Sequence, residues 1–216
     1  MDYPYVDIHT HSDIKETGVV KIYSYLLENG GPLPDVPFSA GVHPWHAVGI
    51  DFNILNKFPA GNANLMAVGE IGLDYTAKNL NKERQTEWFR RQLSLAAKLN
   101  LSVIIHCVKA HNDLLHEVKL RPVKAVVIHG FTGSPELAKQ MTDNGFYLSF
   151  GINSLRSIKT AEALKQSPPD KIFFETDDFG ANIQEVYRQA AALMWIREEE
   201  LKKAAYENYK TIFNEG

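Results

Sequence analysis

Residues 125–129 read AVVIH, and residues 102–106 read SVIIH. A third run, KIFFE at 171–175, has the same make-up: apolar almost throughout and closed by a polar side chain. A strand with one face in water alternates apolar and polar residues, whereas a continuous apolar run marks a strand buried on both faces, as in a parallel sheet covered by helices. Working outward, five more short runs take the same place at residues 4–9, 19–25, 38–42, 65–69 and 146–150, which makes eight strands with 101–106, 124–129 and 171–175. Helical patterns separate the later ones. Residues 82–99 carry Trp88, Phe89, Leu93, Leu95, Ala96 and Leu99 as an apolar stripe at helical spacing. Residues 112–119, 135–143 and 154–165 follow, with Ser134 and Pro135 as an N-cap and first-turn proline. Residues 183–212 read as two further helices. Eight strands with intervening helices predict an α/β fold of the (β/α)8, or TIM barrel, type.

The first third is expected to depart from that plan. Only residues 12–18 separate the first two runs, too few for a crossover helix, and residues 26–37 contain Gly30, Gly31, Pro32, Pro34 and Pro37. The first two barrel helices are therefore expected to be missing or vestigial. The outer faces of the first two strands would then be covered either by the C-terminal helices or by a second copy of the chain, a homo-oligomer.

The chain has 216 residues and reads as one domain, 1–216. A formal net charge of -3 lacks the basic footprint of a protein that grips duplex nucleic acid along a broad surface. No apolar run approaches the ~18 residues of a membrane span, so no membrane association is expected. The N-terminus MDYPYVDIH has no basic segment followed by an apolar one. A single cysteine, Cys107, excludes an intrachain disulfide, and a cytoplasmic setting is the simplest expectation. Because Cys107 follows His106, it faces away from that residue and is read as a buried thiol.

The chemistry lies where the runs end. They finish at His9 and His11, His43, Glu70, His106, His129 and Asp177. In a parallel barrel these ends share the face that carries active sites. Along the first strand Asp7, His9 and His11 share one side by the two-residue period. Five of the eight histidines fall at expected strand termini, while His46, His111 and His116 lie in loops or helices. A histidine- and carboxylate-rich cluster of this kind points to one or two divalent metal ions, zinc, manganese or magnesium, and to hydrolysis by an activated water.

The ordered set DIHTH (7–11), GVHPW (41–45), AVGEIGLDY (67–75), VIIHC (103–107), HGFTGS (129–134) and ETD (175–177) resembles the TatD family of metal-dependent hydrolases, among the amidohydrolase-like barrels. Gln85, Phe89, Gln92 and Ala96, and the C-terminal AAYENYKTIF, also fit. The resemblance implies that His9 and His11 hold one metal, that Glu70 bridges, and that His106 and His129 serve a second. It implies that Asp177 is both ligand and general base, and that His43 faces the substrate. Asp7 is then either the acceptor for the remaining N–H of a metal-bound imidazole or a buried acid with a structural partner. The implied substrate is a phosphodiester, in single-stranded ends of DNA or RNA or in short nucleic acid. Three departures from the family bear on substrate recognition, one being the missing early helices, which change one wall of the site, and the missing arginine among them favours an alternative, hydrolysis of an amide, ester or lactone. Val108 stands where the family carries an arginine, which would fork onto phosphate, and the loop after Asp177 is short. Lys109 is expected on the opposite side if the strand continues. A third reading is a barrel that keeps its metals without catalysis. Trp45, Tyr75 and Phe179, just past strand ends, either stack on a base or sugar or close the top of the core.

Overall fold

The computed structural model describes residues 3–76, 81–180 and 182–213. The strands are β1 (Tyr5–Thr10), β2 (Val19–Leu26), β3 (Phe38–Gly41), β4 (Leu65–Asp74), β5 (Ser102–Val108), β6 (Val126–Ile128), β7 (Tyr147–Gly151) and β8 (Ile172–Glu175). They hydrogen-bond in chain order, β1 through β8. The helices are α1 (Lys82–Leu99), α2 (His111–Leu120), α3 (Pro135–Asp143), α4 (Ile152–Leu155), α5 (Ile158–Gln166), α6 (Ile183–Met194) and α7 (Glu198–Phe213). Parallel strands in chain order with helices after β4 to β8 are the (β/α)8 topology expected from the sequence. Among the described residues, no helix lies between β1 and β2, and only a 3-10 turn, Leu27–Asn29, lies between β2 and β3. The two early helices are thus missing, as expected. No helix among the described residues is long and apolar enough to cross a membrane.

The chain groups into two compact units, one of residues 24–126 and one of residues 1–23 and 127–216. In the latter, β7 pairs in parallel with β6 and β8. β1 joins the end of β8 through Asp177 N–H to the His9 carbonyl at 3.0 Å and His11 N–H to the Asp177 carbonyl at 3.2 Å. The C-terminal helices cover β1: the Tyr187 hydroxyl of α6 donates to the Val6 carbonyl, and Tyr5 of β1 donates to Glu198 of α7. Ser134 caps α3 by accepting from Leu137 N–H at 3.3 Å, with Pro135 at the first turn. The single helix expected at 154–165 is instead two, α4 and α5. Ser157 adopts an extended backbone and caps the second of them through Thr160 N–H. Trp195 separates α6 from α7 in a left-handed conformation at φ 57°.

In the 24–126 unit, β4 pairs with β3 and β5. The sequence pattern ended β4 at residue 69, yet it runs to Asp74. The register shifts between Val68 and Ile71, then resumes with Ile71 to Asp74 beside Ile105 to Val108. Gly72 permits this: a Cβ there would stand 1.9 Å from the His106 carbonyl oxygen, and its φ is 145°. The buried stripe of α1 also differs from the apolar expectation. Trp88, Phe89, Leu93 and Ala96 are buried, but Leu95 and Leu99 are only half-buried, and Gln85 and Gln92 take buried places. Both glutamines hold backbone just past β3, and Gln85 also holds the last residue of β4. Gln92 accepts from Val42 N–H at 2.7 Å and donates to the Val42 carbonyl at 3.1 Å. Gln85 donates to the Pro44 carbonyl at 3.2 Å and accepts from Asp74 N–H at 3.0 Å. Gln92→Leu would orphan both Val42 groups in the interior, each worth roughly 1–3 kcal/mol. The variant is expected to lose about 2–6 kcal/mol, read as a lower urea midpoint at unchanged slope; an unmoved midpoint would show that the clamp is dispensable.

Candidate metal centre

The expected site residues fall in both units, and each set stands on its own geometry. In the unit of residues 1–23 and 127–216, His9 is fully buried at the end of β1, and His11 lies just past that end, about one third exposed. Their Nε2 atoms are 3.6 and 3.5 Å from the same oxygen, Oδ1 of Asp177. These separations exceed an ordinary hydrogen bond. They match two donors of one ion: ligand atoms about 2.1 Å from a metal at the tetrahedral angle lie roughly 3.4 Å apart. Asp177 sits at φ 53°, a left-handed backbone that aspartate tolerates better than most residues. Burial alone would raise its carboxyl; the facing His11 and His9 imidazoles outweigh it and hold the group well below the usual carboxylate range. Asp7 is buried below this triad. Its carboxylate accepts from Thr176 N–H at 2.9 Å and from the Thr176 hydroxyl at 2.7 Å, which fixes the residue before Asp177. Burial pushes the Asp7 carboxyl up to about 7, with the Thr176 bonds opposing.

His129 follows β6, with its ring centroid 4.1 Å from that of His9. Its Nδ1 is 3.6 Å from Oε1 of Glu175, which also accepts from Gly130 N–H at 2.6 Å. Glu175 was not singled out by the sequence reading. It is 1% exposed, and its Oε2 is buried without a hydrogen-bond partner. His129, Glu175 and Asp177 form a second group of donors, all within 4.8 Å of one another.

In the 24–126 unit, Glu70 lies inside β4, 3% exposed. Its Oε1 is 3.0 Å from His43 Nε2 and 3.2 Å from His106 Nδ1, and these three residues form a further donor group. His43 Nδ1 accepts from Trp45 N–H at 3.1 Å, so the neutral ring carries its proton on Nε2 and donates it to Glu70. His106 Nε2 faces Oδ2 of Asp74 at 3.2 Å. Asp74 stands four residues past Glu70, inside AVGEIGLDY, and closes β4. Here it accepts from Trp45 Nε1–H at 2.6 Å and from the Thr76 backbone and hydroxyl. Burial, which would raise its carboxyl, is outweighed by the bonds from His106, Thr76 and Trp45, which hold it well below the usual range. Glu28, also unmarked in the sequence, accepts from His43 N–H at 3.1 Å and contacts His46 Nδ1 at 2.7 Å.

Other expectations resolve more simply. Cys107, expected to be buried, is half-buried; the burial it has pushes the thiol up to about 12, so it stays protonated. β5 stops at Val108, and Lys109 is exposed at φ 53°, so strand alternation does not decide where Lys109 faces. His46, His111 and His116 belong to none of the donor groups found among the described residues.

Residues 20–214 match the family model described as TatD related DNase. The chain belongs to that family. It is a TatD-family metal-dependent hydrolase, and its relatives agree. It is 32% identical over 192 residues to the uncharacterized metal-dependent hydrolase YabD of Bacillus subtilis, covering 80% of this chain and 75% of that protein. It is 38% identical over 149 residues to the 3'-5' ssDNA/RNA exonuclease TatD of Pantoea ananatis, covering 64% of this chain and 56% of that protein. The crystal structure of the Escherichia coli TatD homologue YJJV superposes with a TM-score of 0.81 at 25% identity, over 98% of both chains. This TatD-family chain therefore carries its imidazoles and carboxylates on the family's own fold.

Proposed function

We propose that this hydrolase cleaves phosphodiester bonds, acting on single-stranded DNA or RNA ends or on short nucleic acid. The observation that carries the metal assignment is the triad in which His9 and His11 face one Asp177 oxygen at the spacing of shared ligands. The substrate class is supported by the family match and by the relative named as a single-strand exonuclease. The ligands we assign are His9, His11, Asp177 and His129 in one unit and Glu70 and His106 in the other. Bound zinc or manganese would acidify a water and offset charge on the phosphoryl oxygens.

The protein's own groups then do the rest. The Asp177 carboxylate is anchored at Oδ1 by two imidazoles, and it takes the water's proton through its second oxygen. Asp7 holds that strand end in place through Thr176. Asp74 orients His106 by facing the ring nitrogen that would not bind metal, and Glu175, 3.6 Å from His129 Nδ1, stands beside it as a further donor. His43 secures Glu70 by its Nε2–H and lies where the resemblance places a substrate-facing histidine. The slight negative charge and Val108 favour a short or single-stranded substrate over long duplex.

Val108 also keeps a second reading in play, hydrolysis of an amide, ester or lactone, which needs no phosphate-forking arginine. The deciding experiment offers end-labelled single-stranded DNA to manganese- or zinc-loaded protein, with Glu70→Gln as control. Shortening of the strand that the variant abolishes is the expected result. Metal-loaded protein that leaves DNA and RNA intact but opens a lactone or amide would replace the first reading with the second. Loaded protein that turns over none of these would favour the non-catalytic barrel.

A further inference from the structure

Polar contacts of the 24–126 unit close into a ring that begins and ends at Trp45. Its indole Nε1–H donates to Asp74 Oδ2, which faces His106 Nε2; His106 Nδ1 and His43 Nε2 meet Glu70 Oε1; and His43 Nδ1 accepts from the Trp45 backbone N–H. A tryptophan tied at both backbone and ring edge is rigid, yet Trp45 is 60% exposed. The ring planes of His43 and His106 stand at 79° and 73° to the indole, with centroids 4.8 and 6.0 Å away, so neither imidazole lies flat on it. The faces of a flat bicyclic ring hold most of its area, so 60% exposure requires a largely open face. A core-closing role would have buried this ring, whereas it is held rigid with a face open beside the imidazoles.

From this we infer that Trp45 is a specificity-determining residue: its open face stacks on the nucleobase next to the scissile phosphate. The inference rests on the phosphodiesterase reading. A base and its phosphate are joined through one sugar, and the indole lies within one ring's breadth of His43 and His106. Because the ring is fixed before substrate arrives, stacking on it carries little ordering cost. Stacking is indifferent to which base is present, so this platform favours unpaired ends whatever their sequence and disfavours paired ones, whose bases are already stacked. It also supplies affinity that the phosphate contact missing at Val108 does not.

The test compares Trp45→Phe with Trp45→Leu. Both lose the N–H to Asp74, so any effect through Asp74 and His106 is common to them, and only phenylalanine keeps a flat face. Binding of a fluorescent, hydrolysis-resistant phosphorothioate oligonucleotide is measured by anisotropy for wild type and both variants, after circular dichroism and metal content have been matched. A second strand of the same length carries abasic sites at its 3' end. Trp45→Phe is expected to stay within about threefold of wild type, and Trp45→Leu to bind about tenfold or more weakly. That gap should vanish on the abasic strand. Equal affinities for the two variants on the base-bearing strand, or an equal gap on both strands, would overturn the stacking assignment while leaving the nuclease reading intact. Wild type that binds neither strand, and that leaves the unmodified phosphodiester strand of the same sequence uncut, would overturn both.

Discussion

Asp177→Asn is expected to lower kcat by roughly a thousandfold while changing KM by less than about threefold, within the range general-base removal gives. The substitution is chosen for the backbone as well as the chemistry. Asp177 sits at φ 53°, and asparagine accepts that left-handed conformation where alanine would add its own cost. The amide keeps the shape and an oxygen for His9 and His11, but it can no longer take a proton from water. Its lost charge also weakens the grip on any ion that His9 and His11 share with it. The two losses separate by measurement. Metal content at saturating zinc or manganese reports the ligand role, and single-turnover rate at full occupancy reports the base role. A variant that holds its metal and loses only substrate affinity would remove Asp177 as base. A variant that is fully active when loaded would remove it from the chemistry altogether.

The placement of Asp177 shows why part of this site was legible in sequence. Buried parallel strands write continuous apolar runs, so a polar residue that closes a run stands out. AVVIH, SVIIH and KIFFE gave the strand ends, and His106 and His129 with them. The residues that escaped were those whose meaning depends on what they face. Glu175 closes KIFFE, but only the folded chain shows it against His129 Nδ1 and Gly130 N–H. Asp74 and Glu28 look like ordinary loop acids until Trp45, His106 and His43 are placed beside them. Gln85 and Gln92 read as gaps in an apolar stripe, since periodicity weighs hydrophobicity and cannot see a backbone amide that needs a partner. The extent of β4 was hidden for a related reason. Glu70 and Gly72 interrupt its apolar run, and the strand continues because Gly72 lets the His106 carbonyl approach closely. The break between α4 and α5 turned on Ser157, which reads equally well as helix interior or cap until its backbone is seen.

Glu70→Gln is expected to weaken metal binding by at least about a hundredfold and to abolish measurable turnover. Glu70 is 3% exposed, and one of its oxygens meets both His43 and His106. Loss of a partner outside the ligand shell commonly costs 10–100-fold in affinity, so removal of a charged ligand should cost at least as much. Glutamine preserves volume and leaves one oxygen for the His43 Nε2–H, so the fold should survive and the loss should be electrostatic. His43→Ala provides the contrast. His43 is held by the Trp45 N–H at Nδ1 and spends its Nε2 proton on Glu70, so on the proposed reading it acts on the carboxylate and not as a ligand. That variant should keep its metal and lose rate, whereas Glu70→Gln should lose both. Measured by metal analysis and strand cleavage side by side, a Glu70→Gln protein with full metal and full activity would take Glu70 out of the centre. A His43→Ala protein stripped of metal would make His43 a ligand and reverse the division of labour between the two residues.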